Sequence, residues 1–433
     1  MLKTFKRLEY LKNTYGSRVI FDTRLLREND IFIGIKSDKK DGSDYYQAAI
    51  SKKAKLLIIN KKIDNENILF VKDTLNFIKK YVKFLIQSYK GKIIAVTGSV
   101  GKSTVKENLF HILNNNNYLT YRSFKNFNNL LGLRFSIMNM KLHTKFSIFE
   151  LGINNKNEMK KLIDILNPHY SLITNIENSH IGNFKNFDEL IRNKLQVFNS
   201  NRLIKGMINY HYDFKKIPSF ILKKSNIVKI NIKSIIHNSK KFKKFYKIKF
   251  KNNNKSFEIN SERDGVYLEI AISSFLFLEM FIKKFKNKNF FYESAILEGR
   301  GLIKEGLFNN KKIKVFDHSY NASPYSLKRQ ILEFHHRKLR KKIFILGSMK
   351  ELGDLTDSYH LEILNLVKSI NLISVIFIGK EFYKFQKIFP NYKFFKDINS
   401  YISQSSMLIE YGQNMFVMGS NSNNLQKIIQ NVS

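Results

Sequence analysis

Lys92-Ile93-Ile94-Ala95-Val96 is an apolar run of strand length, and Thr97-Gly98-Ser99-Val100-Gly101-Lys102-Ser103-Thr104 follows it directly. Beyond it, Val105, Leu109, Ile112 and Leu113 recur at the spacing of one helical face. The stretch therefore reads as a buried strand, a glycine-containing loop and an amphipathic helix from 103 to 113. That frame is the one a phosphate loop needs. Glycines let backbone N–H groups turn toward an anion, and the dipole at the helix N-terminus adds to the attraction. Lys102 can then reach the terminal phosphates of a bound nucleotide, and the Ser103 hydroxyl can ligate Mg²⁺. The general eight-residue form of such a loop begins with glycine, where this chain has Val96, so the loop is a variant. Without its frame it is a glycine turn beside a chance lysine; the strand before it and the helix after it favour nucleotide binding.

On either side the chain keeps alternating between strand-like and helix-like segments. Residues 146–151 and 170–176 are further apolar runs, and strands alternating with helices predict a mostly parallel sheet. Upstream, to about residue 88, short apolar runs at 31–35 and 56–59 are divided by Asp, Gly and Lys clusters and predict a small mixed α/β unit. Downstream of Gly299, runs at 313–316, 343–346, 375–378 and 415–417 predict a second, Rossmann-like α/β unit. The expected fold class is α/β in three domains: 1–88 small and mixed, 89–298 with the phosphate loop on a parallel sheet, and 299–433 Rossmann-like. Residues 240–255 alternate basic and aromatic side chains (Lys241, Phe242, Lys244, Phe245, Lys247, Lys249), which predicts an edge strand with a solvated lysine face in preference to a nucleic-acid surface. Residues 114–117, four asparagines, predict a loop at a helix end. Residues 266–282 are strongly apolar but interrupted by Glu269 and Glu279, which predicts a buried helix and no membrane span.

Composition narrows the function classes. The chain has 433 residues with 75 Lys and Arg against 35 Asp and Glu, a net charge of +40. Such a charge is what a nucleic-acid or anionic-membrane binder carries. Abundant Lys, Asn, Ile, Phe and Tyr with only 4 Pro and no Trp is equally what A- and T-rich codons produce in any protein, and that explanation is preferred. A basic surface still favours polyanionic ligands. The absence of cysteine excludes disulfides, thiolate catalysis and thiolate metal sites. The opening MLKTFKRLEYLK has no apolar core of signal-peptide length. A cytoplasmic protein, monomeric, without membrane insertion or nucleic-acid partner, is expected.

The TGSxGK[ST]T form of the loop resembles the Mur ligase family, and further stretches agree in order and spacing. They are Asn128-Asn129-Leu130-Leu131-Gly132, Glu150-Leu151-Gly152 after a strand, Thr174-Asn175-Ile176 followed by Ser179-His180, and Lys194 in the next helix. Later, Asp317-His318-Ser319-Tyr320-Asn321-Ala322-Ser323-Pro324 resembles the DDxYNANP motif of one branch of the family. Gly347-Ser348-Met349-Lys350-Glu351-Leu352-Gly353 with His360 resembles GDMxELG…H, Gly299-Arg300 resembles the arginine step that reaches the γ-phosphate, and Gly419-Ser420 resembles KGS. Near the start, Asp22-Thr23-Arg24 resembles DSR and Asp41-Gly42-Ser43 resembles DGH. The resemblance covers nearly the whole chain. Departures are Gln196 for a frequent glutamate, His318 and Ser348 for motif aspartates, Met418 for a lysine, and Ile270 where an adenine-contacting asparagine is expected.

The resemblance implies an ATP-dependent ligase that joins D-alanyl-D-alanine to UDP-N-acetylmuramoyl-tripeptide through an acyl phosphate. It implies ATP contacts at Thr97, Gly98, Ser99, Val100, Gly101, Lys102, Ser103, Thr104, Asn175, Arg300 and Asp317. It implies that Ser103, Glu150, His180 and a carbamylated Lys194 hold Mg²⁺, two ions in all, and that Lys102, His180, Lys194 and Arg300 carry the catalysis. Asp22, Thr23, Arg24, Asp41 and Gly42 are the implied contacts to the UDP-muramoyl group, joined by Tyr320 and Asn321 on the substrate side. The residue types suit these tasks: a strand-end carboxylate and an imidazole bind a phosphate-linked cation, and a guanidinium fork binds two phosphate oxygens. On bare sequence Glu150 is an ordinary strand-end acid, His180 a helix-cap histidine, Lys194 a solvated lysine, and the Asp-Gly stretches are turns. Three alternatives stay open: a related ligase with another acceptor, such as a folylpolyglutamate synthetase, a nucleotide-binding relic without activity, and a basic nucleic-acid-binding protein.

Overall fold

The structure is a computed structural model, and it describes residues 1–38, 40–124, 127–178, 181–209, 226–235, 237–241, 246–252, 255–261, 266–290, 299–308, 311–372, 374–404 and 413–432. Its centre is a six-stranded sheet in the order Ile227–Ile230, Lys205–Asn209, Tyr170–Ile173, Lys92–Thr97, Phe146–Glu150, Thr120–Arg122. Every pairing in it is parallel. Parallel strands are covered on both faces, so they read as continuous apolar runs; Ile93, Ile94, Ala95 and Val96 are all fully buried. Later strands add on both sides of Lys92–Thr97, and a crevice forms at the carboxyl ends where the order reverses. The phosphate loop, residues 150–152 and residues 174–175 leave the sheet along that edge.

Val96 belongs to the strand, not to the loop. Its carbonyl accepts the Leu151 N–H at 2.8 Å, so the turn proper starts at Gly98. Gly98 has φ +143°, and a Cβ there would lie 2.0 Å from Thr174 Oγ1, so only glycine fits. The helix that follows, Lys102–Asn115, starts from Gly101 at φ 82°.

Among the described residues three further sheets flank this one. The first joins Val19–Ile20, Ile31–Ile33, Leu56–Ile59 and Ile68–Phe70, all parallel. It is fastened to the centre by Asn139, whose side chain accepts the Val19 N–H at 2.9 Å and donates to the Val19 carbonyl at 3.0 Å. Phe21 packs edge-on against Phe135 at 5.0 Å beside this clamp. The last sheet runs Leu302–Phe308, Lys311–His318, Gln413–Met418, Lys342–Gly347, Val375–Ile378, Lys393–Phe395; only its first pair is antiparallel. Helix Val266–Glu279 is buried as expected, and among the described residues no helix is long and apolar enough to cross a membrane.

The expected edge strand at 240–255 is corrected. Strands His237–Lys241, Tyr246–Asn252 and Lys255–Ser261 form an antiparallel meander, and Tyr246–Asn252 has a neighbour on each side. Ile248 and Phe250 are buried while Lys249 and Lys251 are exposed, so one face is wet and the alternation is the same in an interior strand. Phe242, Lys244 and Phe245 lie outside the described residues.

One consequence concerns pH. His169 Nδ1 accepts the Ile93 N–H at 3.1 Å at the base of the central sheet. Burial, with Lys92 and Arg202 nearby, depresses this histidine from 6.5 to about 4. Burial and Arg122 depress His111 likewise, to about 4. Below 6.5 the unfolded chain binds protons that the folded chain refuses, so stability present above 6.5 drains away as pH falls toward 4. Thermal midpoints measured across that window should fall, and less steeply for His169→Asn; a flat wild-type profile contradicts this.

Candidate active site

Two lysines meet at the turn of the phosphate loop, Lys194 buried and Lys102 half-buried. Lys102 Nζ donates to the carbonyls of Gly98 at 2.9 Å and Ser99 at 3.0 Å. Lys194, carried inward by helix Phe187–Leu195, reaches the same Gly98 carbonyl at 3.3 Å. Burial pushes Lys102 down, Arg300 adds to this, and Glu150 opposes it. Burial, then Lys102, push Lys194 well below the ordinary lysine range, which favours a neutral, nucleophilic amine. Lys194 is therefore no solvated surface lysine: it is 2 % exposed.

Glu150 ends its strand fully buried beside the loop. Ser103 Oγ donates to Oε2 at 2.5 Å and Asn128 Nδ2 to Oε1 at 2.9 Å, while its N–H is received by Ser123 Oγ at 3.1 Å. Burial alone raises this carboxyl, but Lys106, Lys102, Arg300 and the Ser103 hydroxyl outweigh it, and Glu150 stays below the usual carboxylate range. A buried, ionised carboxylate touching a hydroxyl is an oxygen donor pair that suits a hard divalent cation. Among the described residues no group of three His, Asp or Glu stands together. His180 and Ser179 lie outside the described residues.

Thr174 and Asn175 shape the loop from the neighbouring strand. Asn175 Oδ1 accepts the N–H groups of Ser99 at 3.2 Å and Val100 at 2.9 Å, and Thr174 Oγ1 donates to the Val100 carbonyl at 2.6 Å. Thr97 sits below, its hydroxyl donating to the Leu151 carbonyl at 2.8 Å. Thr104 faces the cavity above.

That cavity, about 330 Å³, is closed from the far side by residues after 299. Arg300 lies in its wall with the guanidinium 4.1 Å from the Tyr320 ring, and Tyr267 Oη donates to the Arg300 carbonyl at 2.9 Å. Tyr320, Asn321, His318 and Ile270 share the lining. Asp317 is not in the lining. Its Oδ2 accepts the Gly299 N–H at 2.9 Å and its Oδ1 the Ser319 N–H at 3.0 Å, so it ties down the segment that carries Arg300. Ser348 and His360 also stand away from the lining. His360 Nε2 accepts the Met349 N–H at 3.0 Å, and Nδ1 lies 2.6 Å from the Thr356 carbonyl, which requires the Nδ1–H tautomer.

The two sides of the cavity are in contact. Arg329 makes a two-pronged pair with Glu269, at 2.9 and 2.5 Å. Asn178 Nδ2 donates to Tyr359 Oη at 2.6 Å, and Gly182 packs so tightly on Gly353 that a Cβ would lie 2.4 Å from the Gly353 nitrogen. Sequence reading did not single out Lys106, Tyr267 or Arg329. Glu269 left a signal as a charge breaking an apolar run, and Lys106 as a lysine one helical turn beyond Lys102.

The N-terminal motif residues lie apart from this lining. Asp22 caps Thr23–Leu25 and pairs with the exposed Arg24 at 2.7 Å. Asp41 caps Gly42–Tyr45 and accepts from Asn60 Nδ2 at 2.8 Å; a Cβ on Gly42 would meet the Ile35 nitrogen at 2.6 Å.

Residues 96–275 match the Mur ligase middle domain. The chain is 30% identical over 441 residues to the UDP-N-acetylmuramoyl-tripeptide--D-alanyl-D-alanine ligase of Rickettsia prowazekii, covering 98% of this chain and 96% of that one. It is 28% identical over 456 residues to the enzyme of the same name from Borreliella burgdorferi, covering 98% and 95%. Among solved structures it resembles the MurF ligase of Thermotoga maritima in complex with ADP, with a TM-score of 0.76, 18% identity and 96% of each chain covered.

Proposed function

The chain belongs to the Mur ligase family, and from this we propose that it joins D-alanyl-D-alanine to the peptide carboxylate of UDP-N-acetylmuramoyl-tripeptide, with ATP cleavage, in peptidoglycan precursor synthesis. One observation carries the site assignment: Lys102, Lys194 and the Ser103–Glu150 pair converge at the carboxyl edge of the central sheet, facing Arg300 across the cavity. The regions 1–88, 89–298 and 299–433 then serve the UDP-muramoyl group, the nucleotide and the acceptor in turn. One chain supplies all of these residues, which supports a monomer, and the use of ATP supports a cytoplasmic enzyme.

A carboxylate is a poor electrophile because its leaving group is an oxide. Its oxygen attacks the γ-phosphorus of ATP, the bond to the ADP oxygen breaks, and an acyl phosphate results. The dipeptide amine then adds to the acyl carbon, the carbon–oxygen bond to phosphate breaks, the nitrogen gives up a proton, and amide and phosphate remain. Lys102 exchanges the Gly98 and Ser99 carbonyls for phosphate oxygens, and residues 97–104 cradle them in the frame that Asn175 holds. The Arg300 fork meets the charge that develops on the γ-phosphate; Asp317 keeps its segment in place. Mg²⁺, as two ions, would be held by Ser103, Glu150, His180 and carbamylated Lys194, and would offset the crowded phosphate charge. Asp22, Thr23, Arg24, Asp41 and Gly42 face the UDP-muramoyl group, and Tyr320 with Asn321 the reacting end.

Lys194 is suited to carbamylation: a neutral amine adds to CO₂ and releases a proton, leaving a carboxylate where a neutral amine stood. Protein prepared free of CO₂ should lose activity that bicarbonate restores. Lys194→Ala should be slower by about 10²-fold, the scale of losing one positioned charge, and unresponsive to bicarbonate. The reaction itself is tested by phosphate release with ATP and Mg²⁺. Release that needs both the UDP-tripeptide and D-alanyl-D-alanine, with a product of pentapeptide mass, supports it; release with glutamate as acceptor instead overturns the choice of substrate.

A further inference from the structure

The helix Lys102–Asn115 carries a second lysine, and this one is fully buried. Lys106 follows Lys102 by one turn and has no exposed surface. Burying an ammonium is strongly unfavourable unless it is paired and hydrogen-bonded. A methionine fills a similar volume without that cost, so packing does not account for the residue. Lys106 Nζ donates to the Ser123 carbonyl at 3.0 Å and lies 3.5 Å from Glu107 Oε1 and 3.9 Å from Glu150 Oε2. Glu107 has another partner: Arg122 Nε stands 3.0 Å from its Oε2, and the Arg122 guanidinium rests on the Phe110 ring at 3.8 Å. Charges thus alternate along a line, Arg122, Glu107, Lys106, Glu150, from the half-exposed rim to the nucleotide cavity. Ser123 joins the last two, its carbonyl taking the Lys106 proton and its hydroxyl taking the Glu150 N–H.

Oε2 of Glu150 faces both Lys106 and the Ser103 hydroxyl. If Ser103 and Glu150 ligate Mg²⁺, as proposed above, the hydroxyl would give the cation a lone pair while its O–H remains able to donate to Oε2. Lys106 stands behind the carboxylate in either state. We propose that Lys106 is a positioning residue of the magnesium–nucleotide site: anchored on the Ser123 carbonyl and 3.9 Å from Oε2, its ammonium holds the Glu150 carboxylate oriented for the cation. The inference rests on the assignment of Glu150 as a magnesium ligand.

Two measurements test it on the full-length protein. The first is a double-mutant cycle on the nucleotide-free thermal midpoint. Lys106→Met should lower the midpoint in wild type and far less in an E150Q background, with weaker coupling in an E107Q background. The second is ADP binding titrated with Mg²⁺. Lys106→Met should need about 10- to 100-fold more Mg²⁺ for half-saturation, while ADP binding in EDTA is unchanged. Lys106→Gln, which keeps a donor to the Ser123 carbonyl without the charge, should show the same Mg²⁺ shift should the methionine variant fail to fold. Additive effects of Lys106 and Glu150, with coupling to Glu107 alone, overturn the proposal. A Mg²⁺ requirement shifted in E150Q but not in the Lys106 variants also overturns it. A requirement unchanged in E150Q itself overturns the magnesium assignment, and the proposal with it.

Discussion

Lys102→Ala should lower kcat/KM for ATP by about 10³-fold, the loss that follows removal of one preorganised donor to developing charge, or about 4 kcal/mol of transition-state stabilisation. Lys102 Nζ rests on the Gly98 and Ser99 carbonyls, so it is held at the mouth of the loop before any phosphate arrives. Its transfer to phosphate oxygens exchanges two neutral acceptors for charged ones, and hydrogen bonds between charged groups are roughly twice as strong. The fold should tolerate the change, since the loop is framed by Asn175, Thr174 and Thr97 independently of Lys102. The expected pattern is a near-normal thermal midpoint with weakened ADP binding and collapsed turnover. A variant that turns over within tenfold of wild type removes Lys102 from the mechanism.

Arg300→Ala should cost about 10³-fold or more in kcat, the range spanned when a charge-stabilising arginine is lost from phosphoryl transfer. Arg300 comes from the far side of the cavity, stacked on Tyr320 and fixed through its carbonyl by Tyr267. Its field reaches both Lys102 and Glu150, although burial acts more strongly on each. In the proposed role Arg300 would meet the γ-phosphate only while the two sides are together, and Glu269–Arg329, Asn178–Tyr359 and the Gly182–Gly353 packing are among the described contacts that hold them so. ADP binding should change little in the variant, because ADP has no γ-phosphate. Arg300→Lys should recover only part of the loss, since an ammonium cannot bind two oxygens in one plane. Turnover of Arg300→Ala within tenfold of wild type contradicts the role.

Which parts were legible in the sequence follows from how local each signal is. The run at 375–378 coincides with strand Val375–Ile378, and the run at 92–96 falls short of its strand by one residue, because parallel strands buried on both faces leave an unbroken apolar signature. The meander from His237 to Ser261 was misjudged because its outer face is wet, and lysine alternation does not say how many neighbours a strand has. The phosphate loop was legible because its chemistry is contiguous. The pairing of Glu269 with Arg329 was not, since the partners are 60 residues apart and only the folded chain brings them together. Asp317 was legible as a motif residue, but its bonds to the N–H groups of Gly299 and Ser319 emerge only from the backbone path. Lys106 was legible only by its place one helical turn beyond Lys102; one lysine among so many carries no sign of its burial.

In the proposed reaction the tripeptide carboxylate is activated as an acyl phosphate in this cavity. The most direct measurement uses UDP-N-acetylmuramoyl-tripeptide carrying ¹⁸O at both oxygens of its reacting carboxylate, with ATP, Mg²⁺ and D-alanyl-D-alanine, and reads the mass of the phosphate released. Attack of that carboxylate on the γ-phosphorus followed by cleavage of its carbon–oxygen bond puts one ¹⁸O into every phosphate formed with product. Phosphate free of ¹⁸O, released alongside the pentapeptide product, would contradict the account.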